Sequence, residues 1–425
     1  MSIKRNFTIL SIFLMLSFYV KGQSNYSSPF SSRGIGDIYE SGLSYNRALG
    51  GMGIGLRHSA YLNLANPAAL SAMDTMSFHF EFGASSNSRV FSSDMQSGAS
   101  YNGNIDYIAI GFPICSWFKT SFGFTPYSSV GYFLQEKIPI SDANGEDLFS
   151  ITRTLQGAGG INRLYGANSI QLLPSLSLGI QYDYLFGNLI SNINEAPSET
   201  GTSVAMYNRY SHSSINDFRF SFGLQYTKLF KDDKSMTFGL IYGYETNLDV
   251  KKTQTNILNT PGMAADTLLL NSESLMTLPS FYGFGFSVRL QKVMLGVDYK
   301  WTNWSKISLS DADGGGTYND NHKIIVGGEY IAQERTAIKY YQRIRYRLST
   351  YYERSFVSVN GAPLKNIGIT FGIGLPVKRS KTTLNFAVNF GQRSTWQTNA
   401  LKENYFTLSM DLSLNDIWFV KRKYD

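Results

Sequence analysis

Along most of the chain, apolar and polar residues alternate one by one. Leu178, Ile180, Tyr182, Tyr184 and Phe186 fall on one side of an extended segment, and Ser177, Gly179, Gln181 and Asp183 on the other. A period of two over eleven residues is the signature of a β-strand with two unlike faces. The same pattern returns at Phe218, Phe220, Phe222, Leu224 and Tyr226, at Phe284, Phe286, Val288 and Leu290, and at Leu295, Val297, Tyr299 and Trp301. It closes with Ile367 to Ile373, Leu384 to Phe390 and Phe406 to Leu414. Each apolar face is long enough for a tilted strand to cross a bilayer, which takes ~9–11 residues. A soluble β-sandwich alternates too, but its second face would be rich in Lys, Glu and Thr. Here that face is Gly, Ser, Asn and scattered ions, which suits a crowded lumen.

The connections point the same way, because membrane barrels alternate short turns at one end with long polar loops at the other. Turns fit at 113–116, 172–175, 231–234, 290–292, 332–335 and 377–381, and loops near 85–103, 140–148, 189–202, 257–277, 310–320, 354–363 and 395–401. Six turns and seven loops predict a transmembrane antiparallel β-barrel of 14 strands. In strand three, Pro126 has no N–H to donate and Gly131 weakens pairing, so that strand is expected either to be interrupted there or to carry a bulge that shapes the barrel. The last strand, NYFTLSMDLSLN, is apolar and aromatic on one face. Such a strand is what barrel-assembly machinery engages during biogenesis, and it equally suits an edge that pairs with the first strand.

Composition narrows the setting. Lys4 and Arg5 precede an apolar run from Phe7 to Val20, with Val20 and Gly22 at the small-residue positions of a cleavage site, so residues 1–22 read as a secretory leader. One cysteine, Cys115, leaves no disulfide framework. Without the leader's Lys4, Arg5 and Lys21 the chain has 35 basic against 31 acidic residues, too mild a surplus for a nucleic-acid partner. Aromatics reach 15% and charged residues only 16%. An exported, β-rich, aromatic-rich, charge-poor chain is expected in the bacterial outer membrane.

Residues 23–75 carry no period of two, and a 14-stranded barrel encloses a lumen too wide for its own side chains to fill. This segment is the natural plug. Gly50, Gly51, Gly53 and Gly55 allow backbone geometry and close approaches that side chains forbid. Pro67 fixes φ, and the Asn66 side chain can hold a turn. The Gly-rich stretch followed by NPAAL before the first strand resembles the hatch of FadL-type outer-membrane transporters for long-chain fatty acids and hydrocarbons. GGINRLYGANS and the ending LKENYFTLSMDLSLNDIWFVKRKYD look like the Bacteroidetes-type branch of that family. The resemblance spans the mature chain and implies a monomeric barrel (76–425) with an N-terminal hatch (23–75), a hydrophobic ligand pocket in the lumen, and sideways release into membrane lipid through a gap at a kinked strand. Asn66, Pro67 and Ala68 match the hatch motif, and Pro126 and Gly131 become the lateral-opening candidates.

Other chemistry is thin. GMGIG lacks the surrounding βαβ unit of a dinucleotide site, so no cofactor is expected. His58, His79, His212 and His322 lack ligand spacing, and Asp311, Asp313 and Asp320 fail the calcium-loop pattern, so no metal is expected. No G-x-S-x-G occurs, and an enzyme is not expected. Arg219, Arg289 and Lys300, with Asp183 and Asp298, fall on the polar strand faces and should point into the lumen. They are the candidates either for internal ion pairs or for meeting a ligand carboxylate. Leu268, Leu269, Leu270, Leu275 and Met276 mark the loop at 257–277 as a candidate surface for collecting ligand. Two functions fit: outer-membrane uptake of a hydrophobic small molecule, or a binding component of a protein secretion system with no small-molecule flux.

Overall fold

The computed structural model describes residues 27–417 except 40–41, 94–96, 143, 145, 199–203, 233, 308–317, 334–338, 360, 378–381 and 398–399. The leader, Asp311 and Asp313, and the residues after 417 lie outside the described residues.

The chain forms a closed antiparallel barrel of 14 strands. They are β1 Ser77–Ser92, β2 Ser97–Pro113, β3 Phe118–Ser141, β4 Asp147–Leu173, β5 Leu176–Pro197 and β6 Met206–Leu229. Next come two strands in two pieces each, β7 Ser235–Gly243 with Thr246–Asn259 and β8 Asp266–Leu278 with Phe281–Leu290. The wall continues with β9 Val293–Thr302, β10 Asn321–Ile331, β11 Arg345–Val359, β12 Ala362–Pro376, β13 Thr383–Ser394 and β14 Lys402–Ile417. β14 zips onto β1 from Lys402 opposite Ser92 to Ile417 opposite Ser77, which closes the cylinder and removes both edges.

Burial is inverted relative to a soluble protein. The alternating apolar residues, such as Leu178 and Phe371, face outward and are exposed, while Gln225 at 0% and Asp411 at 1% exposure face inward. That arrangement places apolar side chains against lipid and polar ones in the lumen. It also rules out the sandwich, whose apolar faces would meet each other.

Residues 27–76 fill the lumen as short pieces: a 3-10 turn at Pro29–Ser32, a two-residue strand at Asp37–Ile38, a helical turn at Ser44–Arg47 and a second 3-10 turn at Pro67–Ala72. Gly50 and Gly51 adopt φ of +65° and +93°, where a side chain would be strained. The wall makes room in return. A methyl group at Gly239 would lie 1.9 Å from the Ile54 carbonyl oxygen, and one at Gly285 2.2 Å from the Gly55 nitrogen. The inward glycines of β7 and β8 are therefore a seat for the backbone of residues 54–55.

Three sequence expectations change. The polar segments at 85–103, 189–202 and 354–363 are largely strand where described, and only 142–146 of 140–148 lie outside one, because β1 to β6, β11 and β12 run past the apolar band and satisfy their backbone by pairing with their neighbours. The segment 257–277 is not a loop: Asp266–Leu278 pairs with Thr246–Asn259 and only 260–265 turn. Leu268, Leu269, Leu270 and Leu275 are exposed on that ribbon, and Met276 packs instead against a buried apolar cluster. Finally, β3 is continuous through Pro126 and Gly131. The interrupted strands are β7 and β8, at facing positions where Pro279 cannot donate to a ladder.

Candidate functional site in the barrel lumen

The N-terminal segment is fixed to the wall through named contacts. Asp298 Oδ2 accepts hydrogen bonds from the amides of Gly53 (2.6 Å) and Ile54 (2.7 Å), and Oδ1 from that of Gly55 (3.3 Å). Asn66 Oδ1 accepts from the Ala68 amide at 3.1 Å and so caps the Pro67–Ala72 turn, while its Nδ2 donates to the carbonyls of Ile54 (2.9 Å) and Leu224 (3.2 Å). Arg47 pairs with Asp106 at 2.8 Å and with Asp411 at 3.1 Å. Glu329 is held by Arg347 at 2.9 Å, Arg345 at 3.3 Å and Arg289 at 3.7 Å. These pairs cross from segment to wall or brace the wall beneath it.

Between this segment and an apolar cluster built around Trp304 and Phe356, whose rings stack 4.3 Å apart, lies a cavity of about 650 Å³. Its lining mixes apolar residues, among them Phe30, Phe281, Trp304 and Phe356, with cations such as Arg89, Arg219, Lys300 and Arg393 and with the carboxylates of Asp37, Asp106, Asp183, Asp298 and Glu353. The sequence candidates separate here. Arg219 and Lys300 line the cavity, with Lys300 Nζ 4.9 Å above the Phe281 ring. Arg289 does not: it lies near Glu329 and donates to the Tyr45 hydroxyl at 3.4 Å. Arg219 is 5% exposed, donates to the Tyr127 hydroxyl at 2.7 Å and the Pro279 carbonyl at 2.6 Å, and leaves its Nε without a hydrogen-bond partner. Asp183 goes to Arg163, at 3.8 Å.

The wall beside the cavity is open on one seam. β2 pairs with β3 only from Pro113 opposite Lys119 to Ile108 opposite Phe124. Beyond Phe124, β3 keeps its full pairing with β4, around a bulge at Tyr127 just after Pro126, but has no pairing with β2. The N-terminal segment takes that edge instead. Asp37 and Ile38 pair with Ser129 and Ser128, the Tyr39 amide donates to the Tyr127 carbonyl at 3.0 Å, and the Ser27 amide donates to the Gly131 carbonyl at 2.7 Å. Pro126 and Gly131 thus bracket the stretch of edge that the segment covers.

Sequence reading missed Asp37, Arg89 and Arg393. Arg89 Nη1 lies 2.8 Å from Asp37, and Arg393 Nη1 lies 2.9 Å from the other Asp37 oxygen. The signal was present for the arginines. Continuing the parity of Phe78, Phe80 and Phe82 along β1 turns Arg89 inward, and that of Phe386, Val388 and Phe390 along β13 does the same for Arg393. Asp37 lies where no period exists. Burial opposes its ionisation, but the Arg393 and Arg89 guanidiniums outweigh that and hold its carboxyl below the usual range.

Solved structures share the fold. A monoaromatic hydrocarbon channel, CymD, superposes with a TM-score of 0.61 at 12% identity, over 89% of this chain and 99% of that one. A toluene transporter from Pseudomonas putida, TodX, gives 0.58 at 16% identity over 91% and 100%, and a Pseudomonas aeruginosa FadL homologue 0.57 at 12% over 90% and 100%. The architecture is FadL-type. No curated protein matches the sequence. One family model matches residues 2–425, the barrel and its N-terminal segment together, and the chain belongs to the BamG family.

Proposed function

We propose that this chain is an outer-membrane barrel that binds a hydrophobic small molecule with an acidic head in its lumen and exchanges it with membrane lipid through the seam between β2 and β3. The observation that carries this reading is the seam itself, whose pairing stops at Phe124 beside a cavity lined by both aromatic and charged residues. The hydrocarbon channels that share the fold support the apolar part of the ligand. Arg219 supports the acidic part: it is buried, and among the described residues no carboxylate forms an ion pair with it. A planar guanidinium offers a carboxylate two parallel hydrogen bonds. Purified barrel should bind oleate, and Arg219→Gln should weaken oleate about 10- to 100-fold while leaving toluene binding unchanged, because a hydrogen bond to a charged group contributes ~1.5–3 kcal/mol. Equal losses for both ligands, or no oleate binding, would count against the reading.

The BamG match favours a second reading: a partner barrel at the barrel-assembly machinery, its hatch a fixed plug and no small molecule in flux. The many braces on the hatch agree with a plug that stays put. On this reading the tagged chain co-purifies with identified assembly-machinery subunits, and Arg219→Gln leaves that association intact.

A further inference from the structure

An open sheet edge at membrane depth is not tolerated facing lipid, because each unpaired backbone group there costs several kcal/mol. On β3 the stretch from Tyr127 to Gly131 has lost β2, and the N-terminal segment supplies replacement partners for four of its carbonyl or ladder positions. The Gly131 amide also finds one, donating to Ser31 Oγ at 3.1 Å. The segment's ionic fastening lies across the gap: Asp37 sits between Arg89 of β1 and Arg393 of β13, and Glu403 of β14, bonded to Ser28, approaches the same two guanidiniums at 3.1 and 3.8 Å. All of these residues except Ser28 and Glu403 line the lumenal cavity, so a molecule in the cavity reaches them directly.

We propose that Ser27–Tyr39 is the shutter of the side opening and that the Arg89–Arg393 pair is a carboxylate site, occupied in this resting state by the chain's own Asp37 and taken over by the acidic head of an amphipathic ligand. Two guanidiniums aimed at one carboxylate make a fork that an acyl carboxylate can fill in the same geometry. Exchange replaces one carboxylate by another, so the buried charge balance is kept. Asp37, once displaced, is free to hydrate, and the strand pair at Ser128 and Ser129 loses the ionic anchor that Arg89 and Arg393 give it. The Asp37 half of the inference stands on geometry alone, and the ligand half rests on the lumenal-binding reading above.

The pairing of Ile38 with Ser128 gives a direct readout, since paired antiparallel residues lie within the ~4.4–6.8 Å Cα separation that a disulfide spans. Ile38→Cys with Ser128→Cys, in a Cys115→Ser background, should oxidise in high yield. Asp37→Asn added to it should lower the yield several-fold without ligand, while heat-modifiable migration confirms a folded barrel. Oleate should lower the yield of the Asp37 protein to the same level, and toluene should not. An unchanged yield in Asp37→Asn overturns the shutter, whether or not oleate binds. If Asp37→Asn opens the pair but oleate that demonstrably binds leaves the yield of the Asp37 protein unchanged, displacement is overturned while lumenal binding survives. Failure of oleate to bind at all sinks the binding reading alone, and the Asp37→Asn arm still decides the shutter.

Discussion

Two seams of the same barrel are built from similar residues and end differently. Where β14 meets β1, pairing runs without a gap over 16 residues on each strand, Lys402–Ile417 against Ser77–Ser92. Where β2 meets β3, strands of 17 and 24 residues pair only between Ile108 and Pro113 on β2 and Lys119 and Phe124 on β3. Length and propensity do not explain the difference, because both strands are long enough to continue. What differs is local. β3 carries a bulge at Tyr127 next to Pro126, and bulges increase twist and turn a strand away from its neighbour. The closing seam is sealed by the wall itself; the open one is covered in part by the N-terminal segment.

If that distinction holds, loosening the hatch should affect one seam and leave the other. Asp298→Ala removes the acceptor for three buried amides of the hatch, at about 1–3 kcal/mol for each group left unsatisfied. Seating of the N-terminal segment should weaken by about 3–9 kcal/mol, read as protease cleavage between residues 27 and 76. Amide exchange on β14 and β1 should stay slow. Loss of protection on both seams together would mean that hatch and wall fold as one unit.

A smaller change addresses the bulge. Tyr127 is the extra residue between Pro126, paired with Asn162, and Ser128, paired with Ile161. Deleting it leaves β4 a regular partner but removes the carbonyl that receives the Tyr39 amide and the hydroxyl that receives Arg219. One lost hydrogen bond of ~1 kcal/mol predicts about fivefold faster amide exchange at Asp37–Tyr39, with the β14–β1 seam unchanged. Unaltered exchange would show that the ion pairs to Arg89 and Arg393 hold the Asp37–Tyr39 stretch without help from the bulge.

The closing seam was legible in the sequence and the open one only in part. Phe406, Leu408 and Met410 announce β14 by parity, and every strand with an apolar lipid-facing side announced itself the same way. The strand count followed, since the six expected turns fall between consecutive strands. Strand tips were misread as loops because beyond the apolar band both faces are polar, and polarity alone does not separate a paired strand from a loop. That misreading hid Arg89 within a supposed loop at 85–103. Pro126 was expected to break its strand, but β3 runs on through it, paired with β4, and what ends near it is the pairing with β2. The partner of Asp298 was out of reach for another reason: three consecutive hatch amides have no side-chain signature.

The smallest expected effect tests whether the hatch is uniformly braced. His58 lies in the hatch, its ring 4.9 Å from that of Tyr61 and 5.5 Å from that of Tyr45, with Nε2 3.0 Å from Arg345 Nη1. Burial, then the positive charges of Arg345 and Arg289, push its pKa well below the ordinary value, against the weaker opposite pull of Glu329. The folded protein therefore keeps His58 neutral at a pH where an unfolded or released hatch would protonate it. Below the unfolded value of ~6.5 the released state binds more protons, so hatch stability falls as pH falls, by at most ~1.4 kcal/mol per pH unit, and nothing is lost above it. Lowering pH from 6.5 to 5.5 should raise hatch cleavage by less than about tenfold. His58→Gln should flatten that slope while leaving the Ile38–Ser128 pairing in place, because Asp37 stays ionised across the same window. A slope that persists in His58→Gln would move the titrating group elsewhere in the hatch, and a parallel change at Ile38 would join the two braces that the two seams suggest are separate.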